Sequence, residues 1–464
     1  MSYLEPLFKP KSIAIVGASR TPGKIGYEIL KNLIEYGYSG KLYPVNPKAK
    51  EILGLKCYPK VSAIPDKVDV VIVVVPAKIV PEVLEDSGKA GAKFAVIITA
   101  GFKEVGNVEL ENRVVKIARK YGIRILGPNI FGYVYTPLRI NATFGPKDVI
   151  PGGVAFITQS GALGIALMGM TILERIGVST ILSVGNKADL EDSELIEYLA
   201  TDPSTKVILI YLEALVDGRR FVEMAQKVTL YKPIIVIKAG RTEVGAKAAS
   251  SHTGALAGDV ALYKAALTQA GVLIASNVEE AFDWARAFSL LPLPEDKGNV
   301  LLITNGGGAG VLATDTLAEY GVYLKPTPKD LVEELRKITP PFAALGNPVD
   351  LSGQIDEVGY VEALGKALQH PEVSGVLALY CHTGFTDPPY LASLILKKIK
   401  EIGGLKKPLT VAFIGGEEVS LAIRRLTLAG IPTYPTPERA ASALAALYRY
   451  IRVKEEIKAK LGIK

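Results

Sequence analysis

The chain has 464 residues, 49% hydrophobic and 22% charged, enough to bury several cores and build two to four domains. No apolar run reaches membrane-spanning length, and the N-terminal stretch lacks the apolar core of a secretory signal. A net charge of +7 favours anionic ligands, yet the basic residues are scattered without interleaved aromatics, which argues against a nucleic-acid surface. The two cysteines, Cys57 and Cys381, form no metal or redox motif and fit a reduced, cytoplasmic setting.

In chain order, apolar strands are expected over 12–17, 41–46, 68–75, 94–99 and 124–127, with an amphipathic helix over 25–36 and helical patterns between the later strands. Strands alternating with helices imply a parallel, doubly wound α/β sheet, here a Rossmann-like domain over 1–128. Ligands on such sheets bind at the carboxyl ends of the strands. The turn signals gather there: Gly17, Ala18 and Ser19 with Arg20 and Lys24; Asn46 and Lys48; Val75 and Pro76; Thr99 and Ala100; and Asn129 of a Gly-Pro-Asn turn. Residues 17–26 do not spell G-x-G-x-x-G, and Asn46-Pro47-Lys48 stands where a dinucleotide site needs an acid. A linker is expected over 129–150.

The segments 151–290 and 299–464, joined by a proline-rich linker at 291–298, read as diverged copies of one flavodoxin-like α/β fold. Residues 153–161 match 299–307, the strand ending at Tyr211 matches the one ending at Tyr380, Lys232-Pro233 matches Lys407-Pro408, and Ala270-Gly271-Val272 matches Ala429-Gly430-Ile431. The copies differ in one place. Gly240 to Gly271 spans 31 positions and Gly415 to Gly430 only 15, so the first copy carries about sixteen extra residues, the scale of a functional loop. That insertion is the segment holding His252, within Ser250-Ser251-His252-Thr253-Gly254, together with its short helix. An imidazole among small residues can act as a covalent phosphoryl carrier, because its ring nitrogen is nucleophilic at neutral pH.

Two strand-to-helix turns are written alike, Thr158-Gln159-Ser160-Gly161-Ala162 and Thr304-Asn305-Gly306-Gly307-Gly308. Helix N-termini present unpaired N–H groups and a positive dipole end, so a phosphate suits Ser160, Gly161, Ala162, Gly306, Gly307 and Gly308. Glu213 ends an apolar strand and is the natural carboxylate to orient His252. His382, near the equivalent point of the sister copy, and His370, before Pro371, read as structural. Few Cys, His and Met beside many Lys, Glu and Ile point to a thermophile.

Taken together, the Gly127-Pro128-Asn129 turn, the 159–164 and 305–310 turns, Glu213, the His252 segment and Asn347-Pro348-Val349-Asp350 resemble the α subunit of archaeal ADP-forming acetyl-CoA synthetase, a relative of succinyl-CoA synthetase. The resemblance covers essentially the whole chain. It implies a CoA-binding Rossmann-like domain, two flavodoxin-like ligase domains, and the conversion of acyl-CoA, ADP and phosphate to acid, CoA and ATP through an acyl phosphate and a phosphohistidine. It assigns His252 as carrier and Glu213 as its orienting acid. It also implies that CoA phosphates meet Ser19, Arg20 and Lys24, and that Mg-ADP sits on a separate ATP-grasp β subunit in an α2β2 complex. No resident metal, membrane or nucleic acid is implied. Many relatives have Cys after Gly-Pro-Asn, where Ile130 and Phe131 follow here. An NAD-dependent oxidoreductase and a non-catalytic CoA-binding regulator are the alternative readings.

Overall fold

The computed structural model describes residues 3–247, 260–295, 298–384 and 386–463. The chain divides into two compact units, 1–274 and 275–464.

The first unit opens with β1 (Ser12–Val16), β2 (Lys41–Val45), a small antiparallel hairpin of β3 (Glu51–Ile52) and β4 (Leu55–Lys56), then β5 (Val70–Val73), β6 (Phe94–Ile97) and β7 (Arg124–Leu126). The sheet order is β2-β1-β5-β6-β7, with every pairing parallel. All four residues of β5 and of β6 are buried, as expected of strands covered by helices on both faces.

Residues 129–150, expected as a linker, instead carry β8 (Gly132–Tyr135) and β9 (Ile140–Thr143). These form an antiparallel ribbon on the edge of a second sheet with β10 (Pro151–Thr158), β11 (Val178–Ser183), β12 (Val207–Leu212), β13 (Ile234–Lys238) and β14 (Leu273–Ala275). The order is β14-β13-β12-β10-β11-β8-β9. The ribbon is held by the Thr136 hydroxyl, which donates to the Val178 carbonyl at 2.8 Å. Asn32, on the helix Ile25–Tyr36, donates to the Thr143 carbonyl at 2.8 Å. One apolar core therefore runs from Leu30 and Leu33 through Tyr133 and Tyr135 to Ile157 and Ile210, which makes residues 1–274 a single body.

The second unit contains β15 (Asn299–Thr304), β16 (Val349–Asp350), β17 (Val373–Cys381), β18 (Leu409–Ile414) and β19 (Thr433–Tyr434), in the order β16-β15-β17-β18-β19 and parallel throughout. The helix Val278–Leu290, expected from the sequence to close the second domain, packs here against the helix Pro437–Lys460. Trp284 Nε1 donates to Ser442 Oγ at 2.8 Å, and Arg439 holds the buried Asp283 with two bonds of 2.7 and 2.8 Å.

Counted within each fold, the five parallel-type strands follow the order 2-1-3-4-5 three times over. The first and third strands of each set part company at a topological switch point, which is where such sheets bind ligands. The two later copies also locate the extra residues. The helix Val260–Gln269 has its counterpart in Glu417–Leu428, since each leads into the Ala-Gly turn before the last strand. The insertion is therefore confined to 239–259, against 415–416 in the sister copy, and the helix after it belongs to the shared fold.

Candidate active site

β1 runs into Gly17 at φ +94°, where a Cβ would lie 2.5 Å from the Val74 carbonyl oxygen. A Cβ on Gly26 would lie 2.2 Å from the Gly17 oxygen, so the helix Ile25–Tyr36 begins tight against the strand end. No side chain caps that start, so its leading N–H groups can serve an anion. The other expected residues knit the strand ends together. Asn46 donates to the Ala18 carbonyl at 2.8 Å, and Thr99 donates to the Val75 carbonyl at 2.7 Å. Asn129, at φ +62°, donates its N–H to the Thr99 carbonyl at 3.0 Å. Ser19 Oγ accepts the Thr21 N–H at 3.0 Å. Arg20, Lys24, Lys48, Pro76 and Ala100 stand exposed around this floor. The arrangement fits a phosphorylated ligand: polar groups shape the crevice, and the cations on its rim are left to meet the charge. Ile130 and Phe131, which follow the Gly-Pro-Asn turn, are buried core residues, at 4% and 0% exposure.

In the second sheet, Thr158 Oγ1 donates to the Ser160 carbonyl at 3.1 Å, and Ser160 opens the helix Gly161–Leu173 without a side-chain cap. A Cβ on Gly161 would meet open space. One on Gly164 would lie 2.6 Å from the Phe131 ring and 2.8 Å from Thr158 Cγ2. Gly161 and Ala162 thus leave the helix end open, while Gly164 serves packing.

Glu213 follows β12 and is 9% exposed. Its turn is gripped from several sides. Gln159 Oε1 accepts the N–H groups of Glu213 and Ala214 at 3.1 and 3.0 Å. Lys238 Nζ donates to the Glu213 carbonyl at 2.8 Å, and Lys187 Nζ donates to the Ala214 carbonyl at 2.9 Å. Tyr211 hydrogen-bonds the Glu213 side chain; burial, reinforced by that charge, pushes its phenol up to about 12. Burial pulls the Lys238 ammonium below the usual lysine value, Glu213 opposes the shift, and Lys187 adds to it. Lys187 is itself paired with Asp192, the two side chains 1% and 2% exposed. His252 lies in 248–259, outside the described residues. Gln159, Lys187 and Lys238 were not singled out from the sequence. The signal for Lys238 was available, since a cation ends an otherwise apolar buried strand.

The third sheet repeats the turn with other side chains. Thr304 Oγ1 donates to the Gly306 carbonyl at 2.9 Å. Asn305 takes the place of Gln159, accepting the Cys381 N–H at 2.7 Å and donating to its carbonyl at 2.9 Å. Strand register therefore makes Cys381 the counterpart of Glu213, with His382 one residue beyond. Gly306 and Gly307 open the helix Gly307–Glu319, but a Cβ on them would meet Cys381 Sγ at 2.6 Å and Asp350 Oδ2 at 2.8 Å, respectively; Gly308 is open. A carboxylate beside Gly307 disfavours a bare anion at this helix end. His382 Nε2 lies 3.2 Å from the Thr386 carbonyl oxygen, and His370 Nε2 lies 3.2 Å from Asp330. Among the described residues no cluster of His, Cys, Asp and Glu could hold a metal, and no helix is long and apolar enough to cross a membrane.

Comparison with known proteins matches three segments of the chain to domain families. Residues 11–136 match a CoA-binding domain, 151–288 a succinyl-CoA ligase-like flavodoxin domain, and 300–458 a ligase-CoA domain. The chain is 55% identical to the α subunit of acetate–CoA ligase [ADP-forming] I of Pyrococcus furiosus, over 98% of its own length and 100% of that protein. It is 44% identical to acetate–CoA ligase [ADP-forming] of Methanocaldococcus jannaschii over 96% of its length, but spans only 63% of that longer protein. The fold is similar to that of the dinucleotide-forming acetyl-coenzyme A synthetase 1 of Ca. Korarchaeum cryptofilum in complex with phosphate and ADP, with a TM-score of 0.97, 55% identity and 99% of each chain covered. A crevice suited to a phosphorylated ligand, a duplicated strand-to-helix turn and a buried acid in one copy accompany whole-length identity, and the chain belongs to the family of α subunits of ADP-forming acetate–CoA ligases.

Proposed function

We propose that this chain carries out the acyl chemistry in the conversion of acetyl-CoA, ADP and phosphate to acetate, CoA and ATP. CoA lies in the crevice of the first sheet, its phosphates meeting Arg20, Lys24 and Lys48 above the Gly17 turn. Phosphate sits at the helix end formed by Ser160, Gly161 and Ala162. A phosphate oxygen attacks the thioester carbonyl, the C–S bond breaks, and CoA leaves as the thiolate, giving acetyl phosphate. The free ring nitrogen of His252 then attacks phosphorus, and acetate leaves with the bridging oxygen. Fixed N–H donors stabilise the charge on the phosphoryl oxygens, and Glu213 holds the imidazole in the reactive orientation. Phosphohistidine finally gives its phosphoryl group to an oxygen of ADP.

The observation that carries this reading is the buried Glu213, held beside the uncapped Ser160 helix end in the copy that holds the His252 insertion, where the sister copy has Cys381. ADP and Mg²⁺ belong on an ATP-grasp β subunit. The longer Methanocaldococcus jannaschii relative, of which this chain spans 63%, supports a second polypeptide for that role. Two such pairs make an α2β2 complex by twofold symmetry, in the cytoplasm of a thermophilic host.

The test is His252→Ala in the complex reconstituted with the β subunit. ATP formation is lost while calorimetric CoA binding stays at the parent value. Parent-like turnover would overturn the proposal, and CoA binding without turnover in the parent complex would leave a CoA-binding regulator. The chain without its β subunit binds acetyl-CoA but shows no ADP-dependent turnover.

A further inference from the structure

Lys238 ends β13, the strand that leads into 239–259, and its ammonium donates to the Glu213 and Ala239 carbonyls. The same ammonium lies 4.6 Å from the ring centre of Tyr263, on the helix that follows 239–259. The Tyr263 hydroxyl in turn accepts the Leu215 N–H at 3.4 Å. One cation therefore touches three pieces of chain: the turn that carries Glu213, the strand before the insertion and the helix after it.

The sister copy shows that the fold does not need this arrangement. In β12 and β13, Leu212 pairs with Lys238; at the equivalent register in β17 and β18, Tyr380 pairs with Phe413. The counterpart of Tyr263 is Ala422, each four residues before the leucine whose carbonyl accepts the first N–H after the Ala-Gly turn, Leu267 from Val272 and Leu426 from Ile431. Both counterparts are fully buried apolar residues. An ammonium at this position costs desolvation, and burial does lower its proton affinity. The cation is present only in the copy that carries the His252 insertion.

We infer that Lys238 is a positioning residue for Glu213, fixing the acid's turn to both stems of the inserted segment, with the Tyr263 ring seating the ammonium. This rests on the proposed role of Glu213. Because Phe413 stands at the same place in an intact sister fold, Lys238→Met is expected to fold with a Tm equal to or above that of the parent.

The full chain is mixed with [³²P]acetyl phosphate, and single-turnover labelling is followed in the parent, Lys238→Met, Lys238→Arg, Glu213→Gln and the Lys238→Met/Glu213→Gln double variant. Lys238→Met slows labelling about 10- to 100-fold, the loss typical when a group that orients a functional side chain is removed. Half-saturation by acetyl phosphate does not move, and Lys238→Arg recovers most of the rate. In the Glu213→Gln background the Lys238→Met change adds almost nothing, because both remove the same arrangement. Labelling of Lys238→Met at the parent rate, or effects that multiply, would overturn the inference and leave the proposed function standing. Absence of label in the parent would sink the proposed function instead. The clamp is then decided by hydrogen exchange: the Glu213 and Ala214 amides exchange faster in Lys238→Met if it exists, and at the parent rate if it does not.

Discussion

The turns after Thr158 and Thr304 share a backbone and differ in what surrounds it. Both use a threonine hydroxyl to hold the carbonyl two residues on, and both use an amide side chain to hold the end of the third strand. Around the first turn stand Glu213, Lys187, Lys238 and Tyr211. At positions the register makes equivalent, the second has Cys381 for Glu213, Phe413 for Lys238 and, one residue earlier than the sequence match of Tyr211 with Tyr380, Leu379 for Tyr211. At the neighbouring strand end the difference reverses, with Ser183 in the first copy and Asp350 in the second. Duplication supplies an internal control: what both copies have serves the fold, and what one copy carries at a desolvation cost calls for another explanation.

The widest gap between the copies is expected in catalysis. Glu213→Gln slows phosphoryl transfer by about one to four decades, as loss of an orienting carboxylate does. Cys381→Ser and His382→Ala leave it unchanged. Stopped turnover assays in the reconstituted complex check this, and equal losses on both sides would erase the functional distinction.

The shared part of the turns differs in tightness. Gly164→Ala drives a methyl against Phe131 and Thr158 and should destabilise by about 1–3 kcal/mol, the usual cost of overpacking. At Gly310 the nearest atom, Thr304 Cγ2, is 3.3 Å away. There the helix-propensity gain of about 0.5–1 kcal/mol offsets the squeeze, and the change is near neutral. Urea titrations of the two variants, read as a shift in midpoint at constant m-value, measure the difference.

In the first sheet, Arg20→Ala weakens CoA binding several-fold, and the loss shrinks as salt screens the parent's own contact. Calorimetry at two ionic strengths reads both effects; tight NAD binding without CoA binding would point to the oxidoreductase alternative.

The smallest effect concerns the joint between the first two sheets. Asn186 donates to Glu104 at 2.6 Å and to Glu111 at 2.8 Å. Burial alone would raise the Glu104 carboxyl, but the bonds from Asn186, Gly101 and Phe102 outweigh it, and its value falls below the ordinary one. A depressed acid stabilises the fold above its unfolded-state value, and that contribution is lost as pH falls through the folded-state value. Asn186→Ala should therefore reduce stability at neutral pH slightly and make the acid limb of the stability curve shallower. An unchanged acid limb would show that the backbone donors suffice.

The strands were legible because runs such as Val70–Val73 and Ile234–Lys238 are apolar almost throughout, a pattern that helix-covered parallel strands require. Glu213 was legible as the acid ending such a run. The 132–143 ribbon was not, because its short strands acquire their identity only from the edge of β11. Nor was the true extent of the insertion, which needed the helix Val260–Gln269 to be set beside Glu417–Leu428. Lys238 carries a signal as the cation ending an apolar strand, but its surroundings are not written in that strand. Its half-buried position depends on Tyr263, twenty-five residues later, swinging over it. Asp350 belonged to a recognisable Asn-Pro-Val-Asp segment, but its closeness to Gly307 comes from the pairing of β16 with β15.

The chain has only three histidines, so the central claim can be settled by mapping one modification. The reconstituted complex is incubated with acetyl-CoA and [³²P]phosphate without ADP, digested at alkaline pH to preserve phosphoramidates, and analysed by mass spectrometry. The expected result is an acid-labile phosphoryl group on His252 that is discharged when ADP is added, with His370 and His382 unmodified. A phosphoryl group on His382, or one on His252 that ADP does not remove, would contradict it.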